Sequence, residues 1–86
     1  MTIDDVLDKL EELLDGLSIE IRYEKGDFHG GLYRYRDKQQ MVINKDLAIE
    51  QKIRIIADEI RTNVEFDNLY LVPALREVIE NASRVE

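Results

Sequence analysis

Cysteine is absent from this chain, which excludes a disulfide framework, a thiolate metal site and a cysteine nucleophile together and fits a reducing compartment. Long apolar runs are absent too. No stretch approaches the ~20 residues that span a bilayer, and the opening run Met1-Thr2-Ile3-Asp4-Asp5 has no basic segment feeding an apolar one. The expectation is a soluble, untargeted cytoplasmic protein with no membrane association. Histidine occurs once, at His29, so any serine–histidine–acid relay would have to pass through it. No serine stands in a glycine elbow to be its nucleophile. Positive charge is also scarce: 12 Lys and Arg stand against 19 Asp and Glu, a formal charge of -7. The mean field repels phosphate and argues against general adhesion to nucleic acid or anionic membrane.

The charge that is present is unevenly placed. Residues 1–20 hold seven acids and the single base Lys9. Residues 21–45 hold Arg22, Lys25, Arg34, Arg36, Lys38 and Lys45 against Glu24, Asp27 and Asp37. Residues 46–86 return to nine acids against five bases. A positive strip between two acidic helical layers is one reading; charges that merely keep exposed faces solvated are the other.

With 86 residues the chain has room for a single domain, residues 1–86, which removes only about 60 to 65% of its unfolded surface from water. Thr2 and Asp5 have the spacing of a capping box. Ile3, Val6, Leu7, Leu10, Leu13, Leu14 and Leu17 then recur at steps of three and four, the stripe of an amphipathic helix. Gly16 is a natural stop for it, through a left-handed backbone. The period next falls to two, with Ile19, Ile21 and Tyr23 alternating against Ser18, Glu20, Arg22 and Glu24, as in a half-buried strand. Lys25, Gly26 and Asp27 suit a turn. A second strand over Leu32 to Arg36 and a third over Gln39 to Asn44, turned at Asp37 and Lys38, complete a three-stranded antiparallel meander. Asp46 caps a second helix striped with Ile49, Ile53, Ile56, Ala57 and Ile60, and Pro73 opens a last helix carrying Leu75, Val78, Ile79 and Ala82. The fold class is α+β, in the order α-β-β-β-α-α, with the antiparallel sheet packed against helices.

Few residues in this frame bear chemistry. Asp27 and His29 can pair in a turn, but a catalytic assignment also needs a converging base and an oxyanion site. Gly26, Gly30 and Gly31 are followed by neither a lysine–hydroxyl pair nor a helix N-terminus, so turn or bulge geometry explains them better than a phosphate loop. The sharpest feature is Tyr33-Arg34-Tyr35-Arg36. Single-strand binders stack bases on sheet aromatics and hold phosphates with arginines. The plainer reading buries the tyrosines beneath helices and gives the arginines to solvent. Alternation places the two sets on opposite faces in either case.

Ala57, Asp58, Glu59, Ile60, Arg61 and Thr62 lie on the helix after the third strand. The order of a helix, a strand, a Gly-Gly strand, a strand ending in Ile43-Asn44 and then this helix resembles the ImmA/IrrE family of small zinc peptidases, whose signature there is Ala-His-Glu-x-x-His. Ala57 and Glu59 match that signature. The two ligand positions hold Asp58 and Thr62, so the resemblance does not imply the peptidase activity, because zinc held in this way needs both imidazoles. A second resemblance covers more of the chain. The run Arg22-Tyr23-Glu24-Lys25-Gly26-Asp27-Phe28-His29-Gly30-Gly31, with Ile43-Asn44-Lys45-Asp46-Leu47, Glu50, Lys52, Tyr70, Leu71, Pro73 and Arg76, is similar to a set of short bacterial proteins. It implies a bacterial cytoplasmic protein and no particular activity.

The sequence thus leads to a non-catalytic protein-interaction domain, self-associating or with another protein as partner, and to no catalytic residue, cofactor or metal ligand. Its surface is expected to draw on Arg22, Asp27, His29, Tyr33, Arg34, Tyr35 and Arg36. Two alternatives stay open. One is a degenerate or cryptic metallopeptidase-like hydrolase using Asp27, His29 and Glu59. The other is an anionic-ligand or single-stranded nucleic-acid binder, disfavoured for nucleic acid by the charge.

Overall fold

A computed structural model describes residues 2–82. The elements run α1 (Ile3–Gly16), β1 (Ile19–Glu24), β2 (Gly30–Tyr35), β3 (Lys38–Asn44), α2 (Ile49–Asn63), a 3-10 turn (Phe66–Asn68) and α3 (Pro73–Glu80). The order of helices and strands is the one expected. No helix among the described residues is long and apolar enough to cross a membrane.

Helix α1 begins as its sequence requires. The Thr2 hydroxyl accepts from the Asp5 N–H and the Asp5 carboxylate accepts from the Thr2 N–H, both at 3.2 Å. The Thr2 backbone bond, then the hydroxyl bond, holds the Asp5 carboxyl below its ordinary range. Its end differs from expectation. Gly16 remains helical and the left-handed residue is Ser18, with φ 62°. The cause is packing: half-buried Leu17 and buried Ile19 both turn inward, so the reversal has to fall on the residue between them. Helix α2 also starts later than expected. Its N-cap is Ala48, whose N–H donates to the Gln51 side chain at 3.2 Å. Asp46 does not cap it: it stands two residues before the N-cap Ala48, and its N–H donates to the Asn44 side chain at 3.0 Å.

The sheet is mixed rather than antiparallel throughout, which corrects the meander. Its order is β1-β3-β2, with β3 parallel to β1 and antiparallel to β2. The turns explain this order. Arg36 and Asp37 alone separate β2 from β3, so those strands are neighbours, as a two-residue hairpin demands. Residues 25–29 separate β1 from β2, long enough to stand the strands about 10 Å apart, two strand spacings, and β3 returns into the gap. Its run Met41-Val42-Ile43 is apolar on both faces, which suits a central strand. Gly30 permits the close approach: its φ is 147°, and a Cβ there would lie 2.6 Å from the Val42 carbonyl oxygen.

All three helices share one side of the sheet. Ile19, Met41 and Ile43 from the strands, Leu10 and Leu14 from α1, Ile56 and Ile60 from α2, and Leu75 and Ile79 from α3 belong to one buried cluster. Pairing in register fixes which β2 residues face it. Leu32 lies opposite Met41 and Arg34 opposite Gln39, on the helix side. Tyr33 and Tyr35 lie opposite Gln40 and Lys38, on the helix-free side. The plain reading of these tyrosines as core is therefore wrong: they are 55% and 64% exposed.

Candidate functional site

Among the described residues one face of the sheet has no helical cover, and its most prominent side chains are on β2 and its hairpin. Tyr33 and Tyr35 project there because the single inward aliphatic, Leu32, sets the phase of the strand. Arg36 occupies the hairpin turn with φ 58°, and its guanidinium stands 5.4 Å from the centroid of the Tyr35 ring, within cation–π range. Arg34 projects from the same edge strand toward the helix side. Among the described residues Arg34, Arg36 and Lys38 have no ion-pair partner, whereas Lys9, Arg22, Arg61 and Arg76 each have one. Lys38 opposes Tyr35, so Arg36 and Lys38 stand beside the tyrosines and Arg34 lies on the opposite face.

Arg22 is separate from this group. It lies on β1 beyond the central strand, paired to Glu24 at 2.8 Å with both side chains about half exposed (50% and 46%). Asp27 and His29 are exposed on the loop that enters β2, at the opposite end of that strand from Tyr35, about 20 Å away at the rise of an extended chain. The sequence-derived residues thus divide into a hairpin group (Tyr33, Arg34, Tyr35 and Arg36), a loop group (Asp27 and His29) and Arg22.

The loop group is organised by a residue that sequence reasoning did not single out for this work. The Asn44 amide donates to the carbonyls of Gly26 at 2.9 Å and Phe28 at 2.7 Å. Its carboxamide oxygen accepts from Asp46, and its backbone N–H donates to the His29 carbonyl at 3.0 Å. One side chain at the end of β3 therefore ties the Gly26–His29 loop to the approach of α2. The two motif runs, one around Gly26 and one around Asn44, meet here around an open depression of about 300 Å³ lined by Gly26, Asp27, Phe28, His29, Asn44 and Leu47. An asparagine ending an apolar strand was the available signal, since its amide both donates and accepts locally.

The remaining polar contacts are structural. Asp58 binds Arg61 at 2.9 Å, Glu59 binds Asn63 at 3.0 Å, and Thr62 is exposed. Among the described residues no group of three or more His, Cys, Asp or Glu is placed to hold a metal ion. Tyr23 donates its hydroxyl to the Glu11 carboxylate, and the Lys52 ammonium lies 5.3 Å from its ring centroid, which joins α1, β1 and α2. Burial, then the Glu11 hydrogen bond and charge, raise the Tyr23 phenol well above its ordinary range. Arg76 donates to the carbonyls of Phe66 at 3.3 Å and Leu69 at 2.9 Å, holding the 3-10 turn against α3. That turn leaves Tyr70 almost wholly exposed.

No family model, curated protein or solved structure matches this chain. Its function has to come from its own geometry.

Proposed function

We propose that this chain is a non-catalytic protein-interaction domain that docks through the helix-free sheet face and the outer edge of β2. One observation carries the reading: helices cover one face of a three-stranded sheet, while the other presents Tyr33 and Tyr35, 55% and 64% exposed, on an edge strand. Tyrosine offers a large rigid surface with a polar tip and is enriched where proteins meet. The hairpin holds these rings beside Arg36 and Lys38, which have no ion-pair partner among the described residues. The other candidate groups support binding rather than acid–base chemistry. Asp27 and His29 stand on an exposed loop, and the α2 carboxylates pair with side chains of their own helix, whereas general acid–base catalysis works with groups converging in a pocket. A cytoplasmic location in a bacterial cell belongs to the same reading.

The test is site-specific photo-crosslinking in cells, with the probe residue at Tyr33 or Tyr35 and, as control, at Glu12 on the exposed side of α1. Discrete adducts from the two strand positions and none from Glu12 are the expected outcome. The same pattern from all three positions, or no adduct from the strand, would refute the reading. Adduct mass separates a second copy of this chain from another protein.

A further inference from the structure

Resting on the interaction reading above, we infer that the partner is an extended acidic protein segment that adds to the sheet as a fourth strand along β2. The backbone supplies the first part of the case. Among the described residues, strand β2 has β3 on one side and no strand on the other, so its outer edge offers the alternating N–H and C=O groups that an added strand pairs with. The outward backbone groups used here are those of Leu32 and Arg34, and no proline stands among residues 31–35 to interrupt them.

Side-chain alternation supplies the second part. Tyr33 and Tyr35 flank the edge on the helix-free side, and Arg34 flanks it on the helix side. A nucleic acid strand lying on a single face would meet the rings or the Arg34 guanidinium, not both. An added β-strand has the same period of two. Its side chains divide between the two faces, apolar ones beside the tyrosines and acidic ones beside Arg34. Arg36 and Lys38 do share the ring face, so it is the formal charge of -7 that disfavours nucleic acid, while Arg34 on the other face suits a peptide strand.

Charge supplies the third part. In a chain of formal charge -7, the bases Arg34, Arg36 and Lys38 gather on one hairpin without ion-pair partners among the described residues. Unlike charges steer encounter and set specificity, and like charges reject wrong partners. A second copy pairing through its own β2 would crowd Arg34 and Arg36 against their duplicates. An acidic segment neutralises them instead.

The experiment titrates the full chain, labelled with nitrogen-15, with three probes: a peptide of about ten residues alternating glutamate and valine, its lysine–valine counterpart, and single-stranded oligothymidylate of about ten nucleotides. The glutamate–valine peptide is expected to shift the amides of residues 31–35, to protect those of Leu32 and Arg34, which face away from β3, and to leave those of β1 unmoved. Its affinity should fall about tenfold with Arg34→Glu, and by a similar factor on raising salt from ~0.05 to ~0.5 M. Arg36→Glu, at an exposed turn, provides a second variant and should also weaken binding. Four outcomes overturn the proposal. Binding of the lysine–valine peptide in place of the acidic one would overturn the partner's chemistry while leaving an interaction domain, as would self-association through β2 seen by sedimentation. Oligothymidylate displacing the peptide from the same amides would make the surface a nucleic-acid site. Silence of β2 toward all three probes would end the fourth-strand proposal, and the crosslinking pattern decides separately whether the interaction reading survives it.

Discussion

Replacing Gly30 by alanine and Gly16 by alanine makes the same covalent change at two sites where the structure demands opposite results. At Gly30 the added Cβ would sit 2.6 Å from the Val42 carbonyl oxygen and 3.1 Å from the Ile43 Cα, both backbone atoms of the central strand. They cannot rotate away. The φ of 147° also lies where only glycine is comfortable, a strain of about 1 to 3 kcal/mol for any other residue. With the steric term added, the expected loss is about 2 to 4 kcal/mol. Against the roughly 4 to 13 kcal/mol available to a chain of this size, that is a large fraction. At Gly16 a Cβ meets nothing within 4 Å and the backbone is helical, so alanine should stabilise by about 0.4 to 1 kcal/mol. Urea unfolding followed by circular dichroism measures both. With a slope near 1 kcal/mol/M for a small domain, the Gly30 variant should lose about 2 M or more in midpoint while the Gly16 variant gains about 0.4 to 1 M. A Gly30→Ala midpoint within about 0.5 M of wild type would refute the close approach of β2 to β3, and with it the register that places the tyrosines outside.

Ser18→Gly relieves the left-handed backbone at φ 62° and should raise stability by about 0.5 to 1 kcal/mol, read from the same urea curves. Asn44→Ala removes the hydrogen bonds to Gly26, Phe28 and Asp46 and should cost about 1 to 3 kcal/mol. Hydrogen exchange should accelerate at residues 26–29 and 44–47 and remain unchanged in β1. The Tyr23 phenol ionises later in the folded chain than in the unfolded one. Its stabilisation is therefore complete below the ordinary value of 10.0 and declines as pH rises above it. Thermal melts from about pH 8 to about pH 11 should show Tyr23→Phe less stable than wild type at the lower end, with the difference shrinking toward the upper end. A constant difference would mean that the hydroxyl does not make the Glu11 bond.

The elements themselves were legible because their causes are local. The stripe of leucines over Leu7–Leu17, the alternation over Ile19–Tyr23 and the capping pair Thr2 and Asp5 are periodicities and short-range bonds that the chain specifies without reference to distant residues. Helix ends were less legible, since the reversal at Ser18 follows from where Leu17 and Ile19 must point. The same holds for α2, where Asn44, not Asp46, decides the path into the helix. The candidate surface was named from residue type, and its position was not legible. Tyr33-Arg34-Tyr35-Arg36 stood out as a motif, yet alternation alone states only that the two sets oppose each other, not which is outside.

What the sequence determined by itself is the list of helices and strands, their order and the concentration of cations in the middle of the chain, because propensity, periodicity and composition act over a few residues. Tertiary structure alone decided the strand order and the outward face. Both depend on a pairing between residues far apart in the chain. The five-residue connection from β1 to β2 leaves room for a strand that no local pattern announces, and β3 fills it with Met41 and Ile43 buried against the helices. Leu32 then pairs with Met41 over the core, and that one contact sends Tyr33 and Tyr35 to the solvent side.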